Sequence, residues 1–572
     1  MASKKRVEKI TSQANLQKNN KTQGKQSARE KNNLNINKMD HQIWKYYLPA
    51  VAFIAACVLI FYPPYFKGLF MNPALYITHT LTAIILILVA VSLNREDEIS
   101  WLQTPLDWAA LAFAFAYLIS LFDAVHPGDA FFGFIKTLNY LAIYWIVSRI
   151  VRSWNQMETM LRVLVASGTG VAAIGILASM GYSAYPHAMY GGTIVSTLQY
   201  SNTTATFLAA MVILAVGLWN REKNSFMQLI YLTISSLMTL VILNTSSKGA
   251  WLAFLMGGIV LWSVVPKGYR FKTTYGFVVM FIAAAACYIK FFPAINGEGG
   301  EAKWLLICLL LSFAGVVLWQ FANKLLEDKS YKTLIILIAV IVTISIIPIG
   351  MLSQQVLQNS DLVTEAKELL DLENSSYYGR ISFNNWAWEI IKDYPINGTG
   401  AGGWAALYHQ YQDNNAITTE VHNYYLQTWI EAGTIGILSL IFVITIALWC
   451  LYRMRSYIEE QEWILMAGVT GAIIVLLSHA AIDFDLSIPA MAIFVWILLG
   501  LINSGYQKSA DTNPFPVISS PIINKSILIL VSLILIISGT LFYAAYRHAD
   551  MGTTHMRIAT TPNLEENAQQ NR

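Results

Sequence analysis

Charged residues are scarce in this chain of 572 residues. Asp, Glu, Lys and Arg together make up 13% of it, hydrophobic residues make up 55%, and the mean hydropathy is +0.48. Soluble globular domains carry about 25% charged residues. The composition therefore excludes an ordinary soluble domain and is typical of a protein that crosses a membrane many times.

Cysteine is also rare, and its few positions exclude two common kinds of site. The four residues are Cys57, Cys287, Cys308 and Cys450. Each lies inside an apolar stretch, and none belongs to a Cys-x-x-Cys pair. The sequence therefore predicts neither a disulfide framework nor a structural zinc site.

Long apolar runs occupy almost the whole chain. Each run of about 18–22 residues is long enough, at 1.5 Å per helical residue, to cross a hydrocarbon layer of roughly 30 Å. The runs are continuously apolar and lack the alternation of a barrel strand, so they predict helices. The fold class is therefore all-α: a polytopic integral membrane protein with about 15 transmembrane helices, and 12 at the least. Their approximate spans are 47–65, 73–93, 105–122, 130–150, 159–180, 200–219, 226–243, 249–265, 273–292, 302–322, 332–350, 432–452, 463–481, 486–503 and 526–545.

Lys and Arg predict how these spans are oriented in the cell (cytoplasmic) membrane. If the amino terminus is cytoplasmic, the inner loops carry fifteen of these residues and the short outer loops carry four. Positive charge is normally retained on the cytoplasmic side. An odd number of spans then leaves the carboxyl terminus extracytoplasmic.

The order of polar and apolar segments predicts the domain organisation. Residues 1–46 hold eleven Lys or Arg and read as a disordered basic cytoplasmic tail with affinity for anionic membrane lipids. The membrane domain follows at 47–503 and contains one long extracytoplasmic loop at 351–431. A cytoplasmic linker at 504–525, a final helix at 526–545 and an extracytoplasmic polar tail at 546–572 complete the chain. Nothing in this pattern indicates nucleic acid as a partner.

The long loop contains the greatest concentration of polar residues, at 379–433. Its stretch from Ile381 to Ile391 mixes Trp386 and Trp388 with polar residues, which predicts a short helix lying in the membrane interface. The run GTGAGG at 398–403 imitates a nucleotide-binding loop, but no strand precedes it and no suitable lysine follows. We interpret its glycines as a tight re-entrant turn.

Polar residues from distant stretches are predicted to meet at one side of the membrane. Asn202, Lys248 and Asp483 lie at the outer ends of predicted spans, and Arg380 and His422 bracket the long loop. An ionisable group deep in a bilayer costs at least about 2.5–3.5 kcal/mol, so such groups are usually paired or functional. The sequence therefore predicts a single extracytoplasmic site.

The same residues carry a family resemblance. The run from Gly379 to Gly436, with DYPINGTGAGGW and EVHNYYLQTWIEAGTIG, resembles the hallmark loop of the O-antigen ligase and O-antigen polymerase (Wzy-type) superfamily. The segments QYSNTTATFLA, NTSSKGAWLA and SHAAIDFDLSIPAM resemble that family's flanking segments, so the resemblance covers roughly residues 195–503. The family usually has Arg where this chain has Lys248. Lysine keeps the charge but loses the bidentate fork.

The resemblance implies an enzyme that transfers a glycan on the outer face of the membrane. The donor would be a glycan on a polyisoprenyl diphosphate such as undecaprenyl diphosphate, and the acceptor a glycan, a lipid or a protein. Arg380 and Lys248 suit the stabilisation of a diphosphate leaving group, and His422 suits a general base for the acceptor hydroxyl. No cofactor and no metal are expected.

Each candidate also has a structural alternative. His422 could cap the following helix, Arg380 could satisfy loop carbonyls, and Lys248 could reach into the headgroup layer. Asp483 could pair with a cation or orient His422, and Asp485 is a weaker candidate for the same roles. Helix caps or interhelical hydrogen bonds are expected of Asn202, Asn423 and Gln427. Lys136, inside a span, is a further candidate for contact with a diphosphate.

Two other interpretations compete with this one. The sequence Asp483-Phe484-Asp485 imitates an Asp-x-Asp metal motif, but so short a pattern often arises by chance. A transporter, for example of a bicarbonate-like anion, or a flippase for the lipid-linked glycan would also have many spans. Carriers usually place ionisable residues near the midplane, where His79 is the most central example here. The transferase interpretation is therefore favoured, while the acceptor and the stereochemical outcome stay open.

Overall fold

The computed structural model describes residues 47–70, 72–93, 101–297, 302–327, 375–509 and 520–560. The predicted basic tail at 1–46, the predicted span at 332–350 and the first part of the predicted loop, at 351–374, lie outside the described residues.

In the described part of the chain, ten helices precede the long loop. In chain order they are α1 (Tyr47–Tyr65), α2 (Asn72–Leu93), α3 (Pro105–Ile119), α4 (Pro127–Ile150), α5 (Trp154–Ser179), α6 (Ser201–Arg221), α7 (Ser225–Asn244), α8 (Lys248–Val264), α9 (Arg270–Gly297) and α10 (Leu306–Glu327). A short antiparallel hairpin of β1 (Met189–Tyr190) and β2 (Thr193–Ile194) lies in the connection before α6.

Six further helices follow in the described part of the chain. They are α11 (Ser375–Asp393), α12 (Gly403–Tyr411), α13 (Tyr424–Met454), α14 (Glu460–His479), α15 (Pro489–Ser509) and α16 (Pro521–Thr560). Twelve helices in the described ranges are long and apolar enough to cross a membrane, and α3 and α8 are shorter apolar helices. The all-α polytopic class is therefore confirmed. The count of fifteen stays a prediction.

Three helix boundaries differ most from the sequence expectation. α15 continues six residues into the predicted linker, where the Lys508 ammonium donates to the Val151 carbonyl oxygen at 2.7 Å and Ser504 is buried. α16 runs through Thr560 into the predicted tail, since no proline interrupts the chain between Pro521 and Pro562. α13 begins at Tyr424, eight residues before the predicted span. In each case helical structure continues past the end of the apolar run.

Close packing of α6, α14 and α15 forms the centre of the bundle. α15 is buried along its whole span, and α6 is nearly so. In a bilayer, helices associate through close packing of small residues rather than through the hydrophobic effect. A Cβ atom on Gly217 of α6 would lie only 3.1 Å from the Cα atom of Gly468 in α14. The two backbones therefore meet closely, which fixes the relative positions of the helix ends.

The loop helices α11 and α12 form a small apolar cluster of their own. Phe383, Trp386 and Ile390 from α11 pack with Trp404 and Tyr408 from α12. A helix is thus present where Trp386 and Trp388 predicted one. α11 and α12 both pack against α13, which begins directly after His422 and Asn423.

Candidate functional site

A buried carboxylate pair, Asp483 and Asp485, lies in the turn between α14 and α15. The Asp483 carboxylate accepts hydrogen bonds from Arg380 Nη2 at 3.1 Å and Asn202 Nδ2 at 2.7 Å. The Tyr200 hydroxyl donates to it at 3.2 Å. One carboxylate therefore joins the start of α6, the loop helix α11 and the end of α14.

The second carboxylate of the pair is connected to the start of α8 through His479. Asp485 accepts from the Thr203 hydroxyl at 2.7 Å and lies 2.5 Å from Nδ1 of the buried His479. A Cβ atom on Gly249 would lie 3.0 Å from His479 Nε2. Lys248 directly precedes Gly249 and is exposed. The first turn of α8 is thus part of the same cluster.

His422 lies at the edge of this cluster, between two aromatic rings. Its imidazole is 5.4 Å from the Phe383 ring and 4.9 Å from the Phe484 ring, centroid to centroid. Its Nδ1 atom lies 3.2 Å from the carbonyl oxygen of Glu420. A carbonyl oxygen can only accept, so Nδ1 carries the proton in this contact, and the Nε2 lone pair faces away from it.

The surroundings of His422 keep its imidazole neutral at pH 7. Burial lowers the pKa of His422, the Asp483 carboxylate raises it, and the Arg380 guanidinium lowers it again. The net direction is downward from the ordinary value. A neutral imidazole can accept a proton, which is the protonation state that a general base needs.

The two carboxylates of the pair are shifted in opposite directions. Burial and the neighbouring Asp485 raise the pKa of Asp483, although Arg380 and both histidines oppose the shift. Burial pushes the pKa of Asp485 upward as well, but the contact with His479 and the hydroxyl of Thr203 outweigh it and lower the pKa. Asp485 is therefore the more firmly ionised of the two.

A glycine turn holds the loop against α13. Gly398 and Gly400 have φ values of 73° and 75°, and Gly433, inside α13, has φ 62°. The Gly400 amide donates to the Glu431 carbonyl oxygen at 3.0 Å, and a Cβ atom on Gly433 would lie 2.0 Å from the Ile396 carbonyl oxygen. The glycine turn can therefore approach α13 this closely only where the helix is interrupted at Gly433. The GTGAGG run forms the tight turn expected from its glycines.

Part of the chain matches a known protein family. Residues 294–441 match the family model described as O-antigen ligase, and the matched stretch includes Arg380 and His422. This stretch of the chain is similar to the O-antigen ligase family. The resemblance read from the sequence is thereby confirmed.

A curated protein is also similar to this chain. It is a protein of Haemophilus influenzae described as uncharacterized, which is 26% identical over 220 residues. The match covers 37% of this chain and 51% of the relative, so the chain spans about half the length of that protein.

Asn423 and Gln427 hold α13 in place. Asn423 caps this helix, since its side-chain oxygen accepts from the amides of Tyr425 at 3.0 Å and Leu426 at 3.2 Å. Gln427 accepts from the Val421 amide at 3.0 Å and donates to Glu431 at 2.8 Å. Asn423 thus makes a helix cap, one of the two contacts expected from the sequence, whereas Gln427 bonds to the preceding loop and to its own helix rather than to another helix. His422 itself precedes the cap.

Lys136 lies away from the partners of Asp483. It lies within electrostatic reach of Glu420 and of the buried His79. Burial and the nearby Glu431 carboxylate raise the pKa of Glu420 to about 7, and Lys136 opposes this shift. Lys136 is therefore near the base of the loop that carries His422, rather than among the partners of Asp483.

Sequence reasoning missed three residues of the candidate site. Tyr200 and His479 contact the carboxylate pair, and Glu420 contacts His422 through its carbonyl oxygen. A signal existed for each, because they lie within the segments that carry the family resemblance. Burial and hydrogen bonding, which distinguish them from their neighbours, depend on the folded chain.

The carboxylate pair is surrounded by polar and charged side chains of the protein itself. Its oxygens are engaged by Arg380, Asn202, Tyr200, Thr203 and His479. Among the described residues, no group of three His, Cys, Asp or Glu side chains could hold a metal ion. Metal-independent chemistry stays a prediction.

Proposed function

We propose that this protein transfers a glycan from a polyisoprenyl-diphosphate carrier to an acceptor on the outer face of the cell membrane. It would act as a ligase or polymerase of surface polysaccharide. The proposal rests on one observation above the others: in the stretch similar to the O-antigen ligase family, a partly exposed arginine held by Asp483 lies within electrostatic reach of a neutral histidine.

Arg380 is the first candidate for the diphosphate. Its guanidinium has five N–H donors, and Nη2 uses one of them on Asp483. The buried Nε atom makes no hydrogen bond to any described residue. The contact with Asp483 fixes the direction of the guanidinium and leaves donors for phosphate oxygens. Donors fixed in advance stabilise a leaving group whose negative charge grows in the transition state.

Lys248 is the second candidate cation. It begins α8, whose first residues lie beside His479 and therefore beside the carboxylate pair. The helix amino terminus adds the partial positive charge of its free amides, which favours an anion in the same place. An exposed lysine can reach a diphosphate from this position without bidentate geometry.

His422 is the proposed base. Its Nε2 lone pair would accept the proton of the acceptor hydroxyl while that oxygen attacks the anomeric carbon of the donor sugar. The bond between that carbon and the diphosphate oxygen breaks, and the diphosphate leaves toward Arg380 and Lys248. The proton then resides on the imidazole until it passes to water. Phe383 and Phe484 hold the ring in place.

The transporter and flippase alternatives gain no support from the comparisons. The family match is to a ligase, and the relative carries no functional description. Transfer is also the simpler use of a base placed beside two cations, because a carrier needs no proton acceptor for a sugar hydroxyl.

Reconstitution tests the proposal directly. The purified full-length protein is placed in liposomes with a defined polyisoprenyl-diphosphate oligosaccharide and one acceptor at a time: a second lipid-linked oligosaccharide, a lipid core or a secreted protein. We expect a larger product with one acceptor class and an unchanged rate in EDTA. Movement of the donor across the bilayer without any product, for every acceptor, would contradict the transferase proposal.

A further inference from the structure

A cavity lies at the end of the helix bundle opposite the candidate site. α6 begins beside Asp483, and its last residues, Asn220 and Arg221, line this cavity of about 620 Å³. The starts of α7 and α9 and the last turns of α10 form the other walls. We call this cavity the distal pocket, lined among others by Asn220, Arg221, Lys223, Lys272, Trp319 and Gln320.

Positive charge exceeds negative charge around the distal pocket. The two nearby carboxylates, Glu158 and Glu222, are both engaged by arginines: Glu158 pairs with Arg162 and Arg221, and Glu222 lies 3.6 Å from Arg162. The Glu222 carboxylate also accepts from the amide of Lys223 at 2.9 Å. The ammonium groups of Lys223 and Lys272 are therefore in excess over the acids of the pocket.

Lys272 is an unusual residue for a structural role alone. Its side chain is only 8% exposed, and its ammonium donates to the carbonyl oxygens of Asn220 at 2.9 Å and Glu222 at 3.0 Å. The ammonium also lies 4.9 Å from the Trp219 ring. An ammonium has three donors, so one stays available after these two bonds. A buried cation of this kind in a membrane protein usually serves a bound group or a pathway.

Two further polar atoms at the distal pocket lack partners. The indole Nε1 of Trp319 and the side-chain oxygen of Asn220 are buried and make no hydrogen bond to any described residue. Trp319 is 5% exposed and Asn220 is 1% exposed. Buried polar groups are nearly always satisfied in native proteins, so the indole donor beside the Lys272 ammonium indicates a missing acceptor. The expected ligand is therefore an anion with several oxygens. The Asn220 oxygen is itself an acceptor, so it would need a hydroxyl or a water rather than the anion.

We propose that the distal pocket binds the phosphate of an anionic glycerophospholipid headgroup. The excess of ammonium groups and the indole donor fit phosphate oxygens, and the amide of Gln320 adds a polar group for glycerol hydroxyls. An apolar side chain also lines the pocket: Phe271, 38% exposed, forms part of its wall. Its ring offers a surface for an acyl chain, which favours a lipid over free phosphate. Basic pockets between transmembrane helices at the cytoplasmic end bind anionic headgroups in this way.

The position of the pocket agrees with an inner-leaflet lipid. Arg221, Lys223 and Lys272 belong to the predicted cytoplasmic loops, which face the leaflet that holds anionic lipids. The pocket is at the far end of α6 from Asp483, so the proposal is independent of glycosyl transfer. Lipid binding here would fix the ends of α6, α7, α9 and α10 relative to one another.

Native mass spectrometry of the purified full-length protein tests the proposal. The protein is titrated with phosphatidylglycerol, with phosphatidylethanolamine of the same acyl chains, and with inorganic phosphate. We expect phosphatidylglycerol to bind more tightly than phosphatidylethanolamine. Lys223→Gln and Lys272→Gln should each weaken phosphatidylglycerol about fivefold, in line with the contribution of one cation near anionic lipid. The matched control is Arg453→Gln, at the same end of the bundle but outside the pocket, which should bind as the wild type does.

Three results would overturn the proposal. The first is that the wild type binds phosphatidylglycerol and phosphatidylethanolamine with the same affinity. The second is that the two lysine variants bind phosphatidylglycerol as tightly as the control variant does. The third is saturable binding of inorganic phosphate that depends on Lys272, with no preference between the two lipids. Should Lys272→Gln fail to fold, Lys223→Gln and Trp319→Phe replace it. Trp319→Phe keeps the aromatic ring and removes only the unpartnered donor, so it should also weaken phosphatidylglycerol and leave phosphatidylethanolamine unchanged.

Discussion

At the scale of single residues, the proposed chemistry depends on the charge of His422. Its pKa is lowered by burial and by Arg380, and Asp483 opposes the shift. A base works only when it is unprotonated, so kcat/KM should stay level from pH 7 down to the ordinary histidine value of about 6.5 and fall only below it. A wild-type profile whose acid limb lies above pH 7 would contradict this assignment.

The Asp483→Asn substitution provides a second test of the protonation state of His422. This substitution removes the carboxylate that raises the pKa of His422, so the imidazole should lose its proton at a still lower pH. The acid limb of the kcat/KM profile should therefore move to lower pH, whatever the loss in maximal rate. A purely structural role for Asp483 would lower the rate at every pH and leave the position of the limb unchanged.

Lys248 is the residue at which this chain departs from the family pattern. If its charge contacts the diphosphate, Lys248→Arg should retain most of the transfer activity, because the positive charge is kept. Lys248→Ala should slow kcat by roughly 10²-fold or more, the usual effect of losing one donor to a developing anion. The control is Lys303→Ala, another cation of the predicted outer loops. Equal rates for Lys248→Ala and the control would show that Lys248 serves only the headgroup layer.

Residue types in the sequence were enough to predict part of the site. Arg380, Asp483 and Asn202 stood out as polar groups at the predicted outer end, and the structure joins them through one carboxylate. Tyr200 and His479 lie in segments that carry the family resemblance, but their residue types alone did not mark them as part of the site. Their role comes from burial beside a carboxylate, which only the packing of α6 against α14 creates.

At the scale of elements, the glycine turn and the interruption of α13 act as one unit. Gly433→Ala would place a methyl group 2.0 Å from the Ile396 carbonyl oxygen at a residue with φ 62°. We expect a loss of stability of at least about 1–3 kcal/mol from backbone strain alone, with loss of transfer. Thermal unfolding of the detergent-purified protein measures it. Gly128→Ala, whose added methyl would lie 3.6 Å from His126, should unfold as the wild type does.

Helices were easier to predict from this sequence than their ends. Apolar runs identify the spans because a bilayer demands about 20 apolar residues from each of them. α13 extends upstream into polar sequence because Asn423 caps it and Gln427 ties it to the loop. α12 could not be predicted from hydropathy, since its nine residues are fixed by packing of Trp404 and Tyr408 against α11.

For the whole molecule, glycan transfer on the outer face of the membrane requires the site to face outward. A single cysteine is placed at Asn414, exposed in the loop, or at Tyr457, exposed between α13 and α14, after replacement of the four native cysteines. In intact cells an impermeant maleimide should label position 414 and spare position 457, because Arg453 and Arg455 predict that this connection is cytoplasmic. The opposite pattern would place the proposed site in the cytosol.

Convergence of distant segments is the feature that the sequence predicted least directly. It followed from counting spans, so one miscounted helix would have separated Lys248 from Asp483. In the structure their segments meet, because Gly249 lies beside His479 and His479 contacts Asp485. The distal pocket had no counterpart in the sequence analysis, since its lining residues read as ordinary positive charges of inner loops.

The most direct test of the central claim is glycan transfer by His422→Ala in the reconstituted system. Loss of a general base should lower the rate by about 10²–10⁴-fold, while insertion into the membrane and the melting temperature stay unchanged. His409→Ala, a change at an exposed histidine of the same loop, is the matched control and should transfer as the wild type does. Wild-type turnover by His422→Ala would contradict the account.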